Sequence, residues 1–341
     1  MTLRRHDREP VRAAAAERPN VLITSASRKV LLVRSFKVAT QRLGSGRVIA
    51  ADINPLAAAL YEADDARIIP RSDDQGFVEA LLRICDDDRI GLVVPTRDEE
   101  LPILARERDR FAAAGTVVLV SSPEAVDTCR DKARFVTAVT AAGLETPTVY
   151  PDAASTRFPA FVKPRSGKGG QGAAKVSDAT ELAAALEALG GEALIQAYVD
   201  APEFTIDVFI DFDGRPISCV PRERIAVVDG ESVIGRTVRD PELSAAAIRL
   251  CTEIGLVGHQ TVQAFRTPTE VAFIEINPRY GGAANLGFEA GAPTPDYAIR
   301  AARGERLEPR LDAYEVGLTM FRHAADLFIR EADLIRPPAP R

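Results

Sequence analysis

The 341 residues contain four cysteines, Cys85, Cys129, Cys219 and Cys251, far apart and with no CxxC pair. That spacing argues against a disulfide framework or a zinc site and predicts reduced core cysteines. The three histidines, His6, His259 and His323, are too scattered for a histidine metal site. No apolar run approaches the roughly 18 residues of a membrane span. The start, Met1–Pro19, has charge on both sides of a four-alanine run and lacks the apolar core of a signal peptide. It reads as a mobile tail, and residues 336–341 read as a second, frayed one. Net charge is −6, so the basic face that bulk nucleic-acid binding requires is missing. A cytoplasmic protein with neither membrane nor nucleic-acid partner is expected. There is no GxSxG elbow and no nucleophile–base pair.

What remains is an ordinary globular composition, 46% hydrophobic and 27% charged, long enough for two or three cores. Residues 20–122 alternate short apolar runs with helical patterns. The runs at 20–24, 47–51, 66–70, 91–95 and 116–120 are rich in Val and Ile and continuous, which suits parallel strands buried on both faces. With right-handed crossovers between them, they predict a doubly wound α/β domain. Ligands of such sheets bind beyond the carboxyl ends of the strands. The first loop there, Thr24-Ser25-Ala26-Ser27-Arg28, has no glycine, which breaks the GxGxxG logic and rejects NAD. Arg28, Asp98 and Glu99 stand at these ends as candidates to hold a polar substrate; the alternative is that they cap helices, Asp98 above all.

Ser121-Ser122-Pro123-Glu124 is a helix start, and 123–143 read as one helix ending at Gly143, with Lys132 on it. A short strand at 161–164 carries Lys163. It runs into Arg165-Ser166-Gly167-Lys168-Gly169-Gly170-Gln171-Gly172, four glycines in six residues. This loop is either a plain linker or a cover whose backbone N–H groups wrap anionic oxygens; it is not a Walker A loop. A helix at 178–189 and a strand at 194–199 follow. In the strand 203–211, alternation puts Glu203, Thr205, Asp207, Phe209 and Asp211 on one face, predicting a half-buried antiparallel strand. Residues 219–228 pair with it and carry Arg222 and Arg224. Residues 241–254 read as a helix, and 314–321 as a further strand.

The most informative stretch is Phe273–Gly282, FIEINPRYGG. As a strand, it places Phe273, Glu275 and Asn277 on one face and Ile274 and Ile276 on the other. A carboxylate and an amide oxygen two residues apart suit a hard cation such as Mg²⁺. Pro278 ends the strand, Arg279 follows at its mouth, and Gly281 and Gly282 let backbone approach a ligand closely. Residues 260–266 fold back on 271–277 as a hairpin, with Gln263 opposite Ile274 or Glu275.

In this order, the motifs FVKPRSGKGGQG, EFTID and VQAF…FIEINPR resemble the ATP-grasp superfamily, most closely one ATP-grasp unit of the carbamoyl phosphate synthetase large subunit. The resemblance covers about residues 20–300. It implies an α/β N-terminal domain at 20–122 and α+β ATP-grasp parts, with linker helices and a lid at 123–195 and a C-terminal subdomain at 196–335. By resemblance, Lys132 and Lys163 contact the α- and β-phosphates of ATP, and Ser166, Gly169, Gly170 and Gly172 belong to the loop that closes over them. Gln196, Ala197, Tyr198 and Val199 lie beside adenine, and Glu203 takes the ribose hydroxyls. Gln263, Glu275 and Asn277 match the positions that hold Mg²⁺, with Mn²⁺ as a substitute. Arg279 stabilises the transferring phosphoryl group alongside Lys163; Arg224, a looser match, assists.

The chain departs from the family pattern twice. Ala197 stands where many relatives carry Glu, and there is room for one ATP-grasp unit where the synthetase has two. The resemblance implies an ATP-dependent carboxylate–amine ligase that releases ADP and phosphate through an acyl phosphate. Its partners would be a small carboxylate and an amine, chosen by the N-terminal domain and Gly281–Gly291, and a homodimer is expected by the same resemblance. Two alternatives are activation of bicarbonate or carbamate, and a nucleotide-binding regulatory module without catalysis.

Overall fold

The structure, a computed structural model, describes residues 18–44, 46–167, 172–190 and 192–335. Most of the two expected tails, and Gly169 and Gly170 of the glycine-rich loop, lie outside the described residues.

Strands β1 (Asn20–Ile23), β2 (Val48–Asp52), β3 (Asp65–Ile68), β4 (Ile90–Val94) and β5 (Val117–Val118) form a sheet in the order β3-β2-β1-β4-β5. Every pairing in it is parallel. All residues of β2 and β4 are buried, as continuous apolar strands between two helical layers should be. Helix α1 (Val30–Arg42) packs Leu32, Val33 and Phe36 on one face, and α2 (Ala58–Glu62) joins it with Ala59 and Leu60. On the other face, α3 (Phe77–Asp87) and α4 (Leu101–Ala113) contribute Phe77, Leu81, Leu104 and Phe111. The chain leaves β1 for β2 on one side and later returns to β4 on the other. The crevice where strand order reverses therefore opens beside Thr24 and Thr96, joined by a hydrogen bond from Thr96 Oγ1 to Thr24 O of 2.8 Å.

The helix expected over 123–143 is two helices, α5 (Pro123–Arg130) and α6 (Lys132–Ala141). Asp131 between them is extended (φ −97°, ψ 109°), and its carboxylate accepts from the N–H groups of Ala133 and Arg134. It caps α6 and turns the chain there. No Gly or Pro marks the break, so helical periodicity runs through it unnoticed.

An antiparallel sheet of β6 (Val149–Tyr150), β9 (Ala193–Ala197), β7 (Ala160–Pro164) and β8 (Ala174–Val176) follows, in that spatial order, with α7 (Ala179–Leu189) packed on it. The last sheet runs β14 (Val271–Asn277), β13 (Gly258–Arg266), β10 (Glu203–Ile210), β11 (Pro216–Val228), β12 (Glu231–Thr237) and β15 (Thr319–Phe321). Helix α8 (Pro241–Ile254) covers one face with Leu243, Ala247 and Leu250 against Ile206, Val208 and Val262. The short helix α9 (Asn285–Glu289) and α10 (Thr294–Ala302) cover the other, where Tyr297 meets Phe209 at 5.8 Å between ring centres.

Two sequence expectations change here. β10 is buried on both faces from Thr205 onward rather than half-solvated. Asp207 is 2% exposed and bonds Arg222 through both carboxylate oxygens, at 2.7 and 2.8 Å. Alternation separates the faces of a strand but does not say that helices cover both. The strand expected at 314–321 shrinks to Thr319–Phe321, because Tyr314 packs inward on Val220 and Gly317 takes a left-handed turn (φ +87°). All four cysteines are buried and unpaired. No described helix is long and apolar enough to cross a membrane.

Candidate functional site

The hairpin of β13 and β14 sets the centre. Its register pairs Gln263 with Glu275 and Thr261 with Asn277. Between Gln263 and Ala264 it slips, so that Ala264 faces Phe273 and Ile274 is an extra residue. The slip corrects the simple alternation: Phe273 joins Ile276 in the core, while Glu275 and Asn277 face open space. Gln263 donates to Glu203 Oε1 at 2.7 Å, and Asn277 Nδ2 donates to Glu275 Oε1 at 2.9 Å.

Beyond Pro278 the chain is held tightly. Thr261 Oγ1 donates to the carbonyl of Arg279 at 2.9 Å, and a Cβ on Gly281 would meet that same hydroxyl at 2.8 Å. Tyr280 is buried, stacked on His259 with ring centres 4.3 Å apart and edge-on to Phe36. This anchored tyrosine leaves Arg279 projecting from a fixed backbone. Arg279 grips Asp98, from the loop after β4, through two bonds of 2.7 Å.

The two lysines come from separate elements. Lys132 opens α6; its N–H bonds Arg165 O at 3.0 Å and its ammonium donates to Gly167 O at 3.2 Å. Lys163 sits in β7 and is 6% exposed. Burial lowers the pKa of both, that of Lys163 to about 8; Glu275 opposes the shift in each, and Lys132 adds to it in Lys163. Two neighbouring buried ammonium groups facing one carboxylate make a pocket short of negative charge. Arg165 ties this corner down, bonding Asp131 at 2.9 Å and Glu192 at 2.7 Å.

Two cavities meet here. A cleft of about 960 Å³ is lined by Asp98, Glu99, Lys132, Ser166, Glu275 and Asn277 among others. A smaller one, about 280 Å³, is lined by Lys163, Gln196, Ala197, Tyr198, Val199, Glu203, Arg224 and Gln263, with Phe161, Phe265 and Ile274 as apolar walls. Lys132, Gly167 and Glu275 line both. In the smaller cavity, the N–H of Ala197 is bonded to Thr148 O and that of Tyr198 to Pro159 O, while Lys175 lies over the Tyr198 ring at 3.9 Å.

The other sequence candidates scatter. Arg224 stands in the smaller cavity, 3.1 Å from Glu203 Oε1, and not with Arg279. Arg28 is exposed and lines neither cavity, whereas Glu99, also exposed, lines the larger cleft beside Asp98. The inward cation of the first loop is its neighbour, Lys29. Asp98 caps no helix; it pairs with Arg279. Gly172 is left-handed (φ +73°) and packed on Leu189, and Gly282 lies against Glu231. Sequence reasoning missed the roles of Asp131, Arg165 and Lys29. The first had a signal, an Asp directly before a helical run; the others had none.

Among the described residues there is no group of three or more His, Cys, Asp or Glu side chains able to hold a metal. The candidate set is one carboxylate with two amides. Its oxygens are hard donors on adjacent register positions of one hairpin, which fits Mg²⁺ or Mn²⁺ bound partly through an anionic ligand.

Residues 21–119 match the family model of the PylC-like N-terminal domain, and residues 129–283 that of the ATP-grasp domain. The carbamoyl phosphate synthase large chain of Vibrio cholerae is 28% identical over 221 residues, covering 58% of this chain but only 20% of that one. The chain thus spans about a fifth of that relative's length. Among solved structures, the biotin carboxylase–β-γ-ATP complex from Campylobacter jejuni superposes with a TM-score of 0.72 at 18% identity, covering 89% of this chain and 75% of the other. The biotin carboxylase domain dimer of Hydrogenobacter thermophilus 2-oxoglutarate carboxylase, with MgADP, ADP and bicarbonate, gives 0.71 at 20% identity, covering 88% and 73%.

Proposed function

Since this chain belongs to the ATP-grasp superfamily, we propose that it is an ADP-forming ligase that joins a small carboxylic acid to an amine through an acyl phosphate. The observation that carries the reading is the shared wall of the two cavities, where Lys132 and Glu275 stand and Lys163 adjoins. The smaller cavity has apolar walls and, away from the Glu275 it shares with the larger one, the acid Glu203, which together suit a nucleoside. The larger one has room for an acid and an amine.

In this reading the adenosine lies along Gln196, Ala197, Tyr198 and Val199, with Glu203 on the ribose and Arg224 and Gln263 fixing Glu203. Lys132 and Lys163 neutralise the phosphates, and Ser166 begins the loop over them. Gln263, Glu275 and Asn277 would hold Mg²⁺, which supplies Lewis acidity and a template for the phosphates when bound. Phosphoryl transfer is mainly positioning and charge stabilisation, so the absence of a side-chain nucleophile is no obstacle. Arg279, aimed from its anchored turn, meets charge on the transferring group. An amino acid or small peptide-like acid is the proposed substrate class, and a homodimer the proposed assembly.

Bicarbonate is the second reading, favoured by the likeness to the carbamoyl phosphate synthase large chain. One experiment separates them: ADP release with Mg²⁺–ATP across amino acids, organic acids and bicarbonate, singly and with amines, with Glu275→Ala as the blank. ADP formed only with one acid–amine pair supports the ligase. Turnover triggered by bicarbonate supports the second reading. Tight ATP binding without turnover counts against both and favours a regulatory module.

A further inference from the structure

The six-stranded sheet ends on β15, and among the described residues no strand pairs with its outer side. The N–H of Arg322 still bonds Val233 O of β12 at 2.8 Å; residues 323–330 then run on without helix, turn or bend. From His323 to Ile329 no backbone group bonds another element of the described structure, and the one recorded contact is local, between His323 Nδ1 and Ala324 O at 2.9 Å. The stretch is nevertheless held at both ends. β12 pairs with it at Thr319–Phe321, and beyond it the N–H of Ile335 donates to the Tyr61 hydroxyl at 3.3 Å, while Ile335 packs on the N-terminal core. It also carries the two most exposed large apolar side chains among the described residues, Phe328 at 89% and Phe321 at 69%.

Exposed edges are normally blunted by Lys, Pro or a bulge, because an open ladder beside apolar side chains invites pairing. Residues 319–329, TMFRHAADLFI, contain no Lys, Pro or Gly. The bond from Arg322 to Val233 shows that residues 320 and 322 turn their backbone groups toward β12, so an extended chain turns those of 321, 323, 325 and 327 outward. Read against a second, antiparallel copy, the stretch is complementary to itself about Ala324. A two-fold axis through that residue sets Arg322 opposite Asp326, Phe321 opposite Leu327 and Met320 opposite Phe328. Opposite charges meet, apolar side chains meet, and the axis falls on a pair of alanines at a position where facing side chains come closest. Arg322 has donors to spare, since its recorded partners are Glu231 and the carbonyl of Gly282 and a guanidinium carries five N–H groups.

We propose that residues 320–328 are the surface on which two copies of this chain join, as an antiparallel strand pair with its two-fold axis at Ala324. The proposal rests on the homodimer reading given above and names the surface that makes it. The outward N–H and C=O groups of 321, 323, 325 and 327 find partners in the second copy, and the exposed phenylalanines are covered. The sheets of the two copies then continue into one another through β15. Because the stretch is already anchored at Thr319–Phe321 and at Ile335, pairing orders little that was free, which lowers its entropic cost.

Sedimentation velocity on the full chain, at tens of micromolar, is the test, and a dimer is the expected result. Phe328→Lys and Ala325→Pro should each weaken dimerisation at least about tenfold, the first by losing an apolar pair and the second by removing an outward N–H. Both positions are exposed, so the urea midpoints of the variants should stay near wild type. Crosslinking reads the register. The four cysteines of the chain are buried. Ala324→Cys puts two thiols across the axis and should give a disulfide-linked dimer under mild oxidation, whereas Ala325→Cys, whose thiols lie on a diagonal, should not. Dimerisation unchanged in both Phe328→Lys and Ala325→Pro, or no crosslink through Ala324→Cys, overturns this surface while the homodimer reading stands. A monomeric wild type overturns both. ADP release by the same samples tests the ligase reading independently.

Discussion

Asp98 and Arg279 stand 181 residues apart in the chain and meet in a two-pronged ion pair, with both N–O distances 2.7 Å. The pair bridges the parallel sheet and the hairpin, so the arginine nearest the proposed chemistry is held by another part of the protein. Arg279→Met is expected to lower ADP release about a hundredfold, the rate equivalent of roughly 3 kcal/mol of lost charge stabilisation. Affinity for Mg²⁺–ATP, measured by calorimetry, should stay nearly unchanged. A variant that loses ATP affinity but keeps its turnover rate would place Arg279 in nucleotide binding instead.

Glu275 faces Lys132 and Lys163 and shares its strand with Asn277, so it is the only carboxylate in the proposed metal set. Glu275→Gln should raise the Mg²⁺ concentration needed for half-maximal ADP release by at least about tenfold. A titration curve that does not move would remove Glu275 from the metal set.

Asp131 holds three things at once: the start of α6, the guanidinium of Arg165, and through these the place of Lys132. Asp131→Ala should cost about 1 kcal/mol as a lost cap and also weaken ATP binding. Asp131→Asn keeps a capping oxygen but loses the charge that holds Arg165. It should unfold near the wild-type urea midpoint yet still bind ATP more weakly. Wild-type ATP affinity in both variants would show that the cap is structural only.

Asp207 and Arg222 are 3% and 2% exposed at their side chains, with His259 Nε2 3.5 Å from the same carboxylate. Asp207→Ala leaves a buried guanidinium without its counter-charge and should destabilise the fold by about 3–5 kcal/mol. Denaturation in urea measures it; a loss under about 1 kcal/mol would mean that water reaches Arg222.

Glu100 and Lys29 should shape stability against pH in opposite ways. Burial raises Glu100 from 4.5 to about 7, so between these values the folded protein holds a proton that the unfolded chain has released. Stability therefore falls as pH rises across that window. Lys29 is lowered from 10.5 to about 8, so between 8 and 10.5 the unfolded chain binds the extra proton, and stability rises with pH. The full shift of either group is worth roughly 3 kcal/mol. Urea midpoints taken from pH 4.5 to 9, below the range where the buried cysteines, raised above 9, pull stability down again, should pass through a minimum between 7 and 8. Glu100→Gln should flatten the acid limb, and Lys29→Met should remove about half of the basic one, the other half belonging to Lys163, which burial also lowers to about 8. Limbs unchanged by these substitutions would assign the pH dependence to other groups.

Local pattern by itself determined much of this protein. Continuous Val/Ile runs marked β1, β2 and β4, because a strand covered on both faces has no polar side to show, whereas β3 at the sheet edge is half-buried. Asp240 and Gly255 bound α8 where the sequence places it, the one capping with its carboxylate and the other taking a left-handed turn (φ +77°). Pro278 ended β14, and the oxygen-bearing residues of the hairpin were legible as a set. Only the tertiary structure decided what those elements meet. The slip at Ile274 sends Phe273 inward and keeps Glu275 outward, which alternation cannot foresee. Arg28 and Lys29 are chemically alike in the sequence, and it is the turn before α1 that exposes one and half-buries the other. Arg224 was grouped with Arg279, but strand pairing sets it opposite Gly235, within reach of Glu203. Asp98 had the composition of a helix cap and the position of an ion-pair partner. Propensity and period act over a few residues; which charge faces which across 181 residues is settled by how the sheets pack.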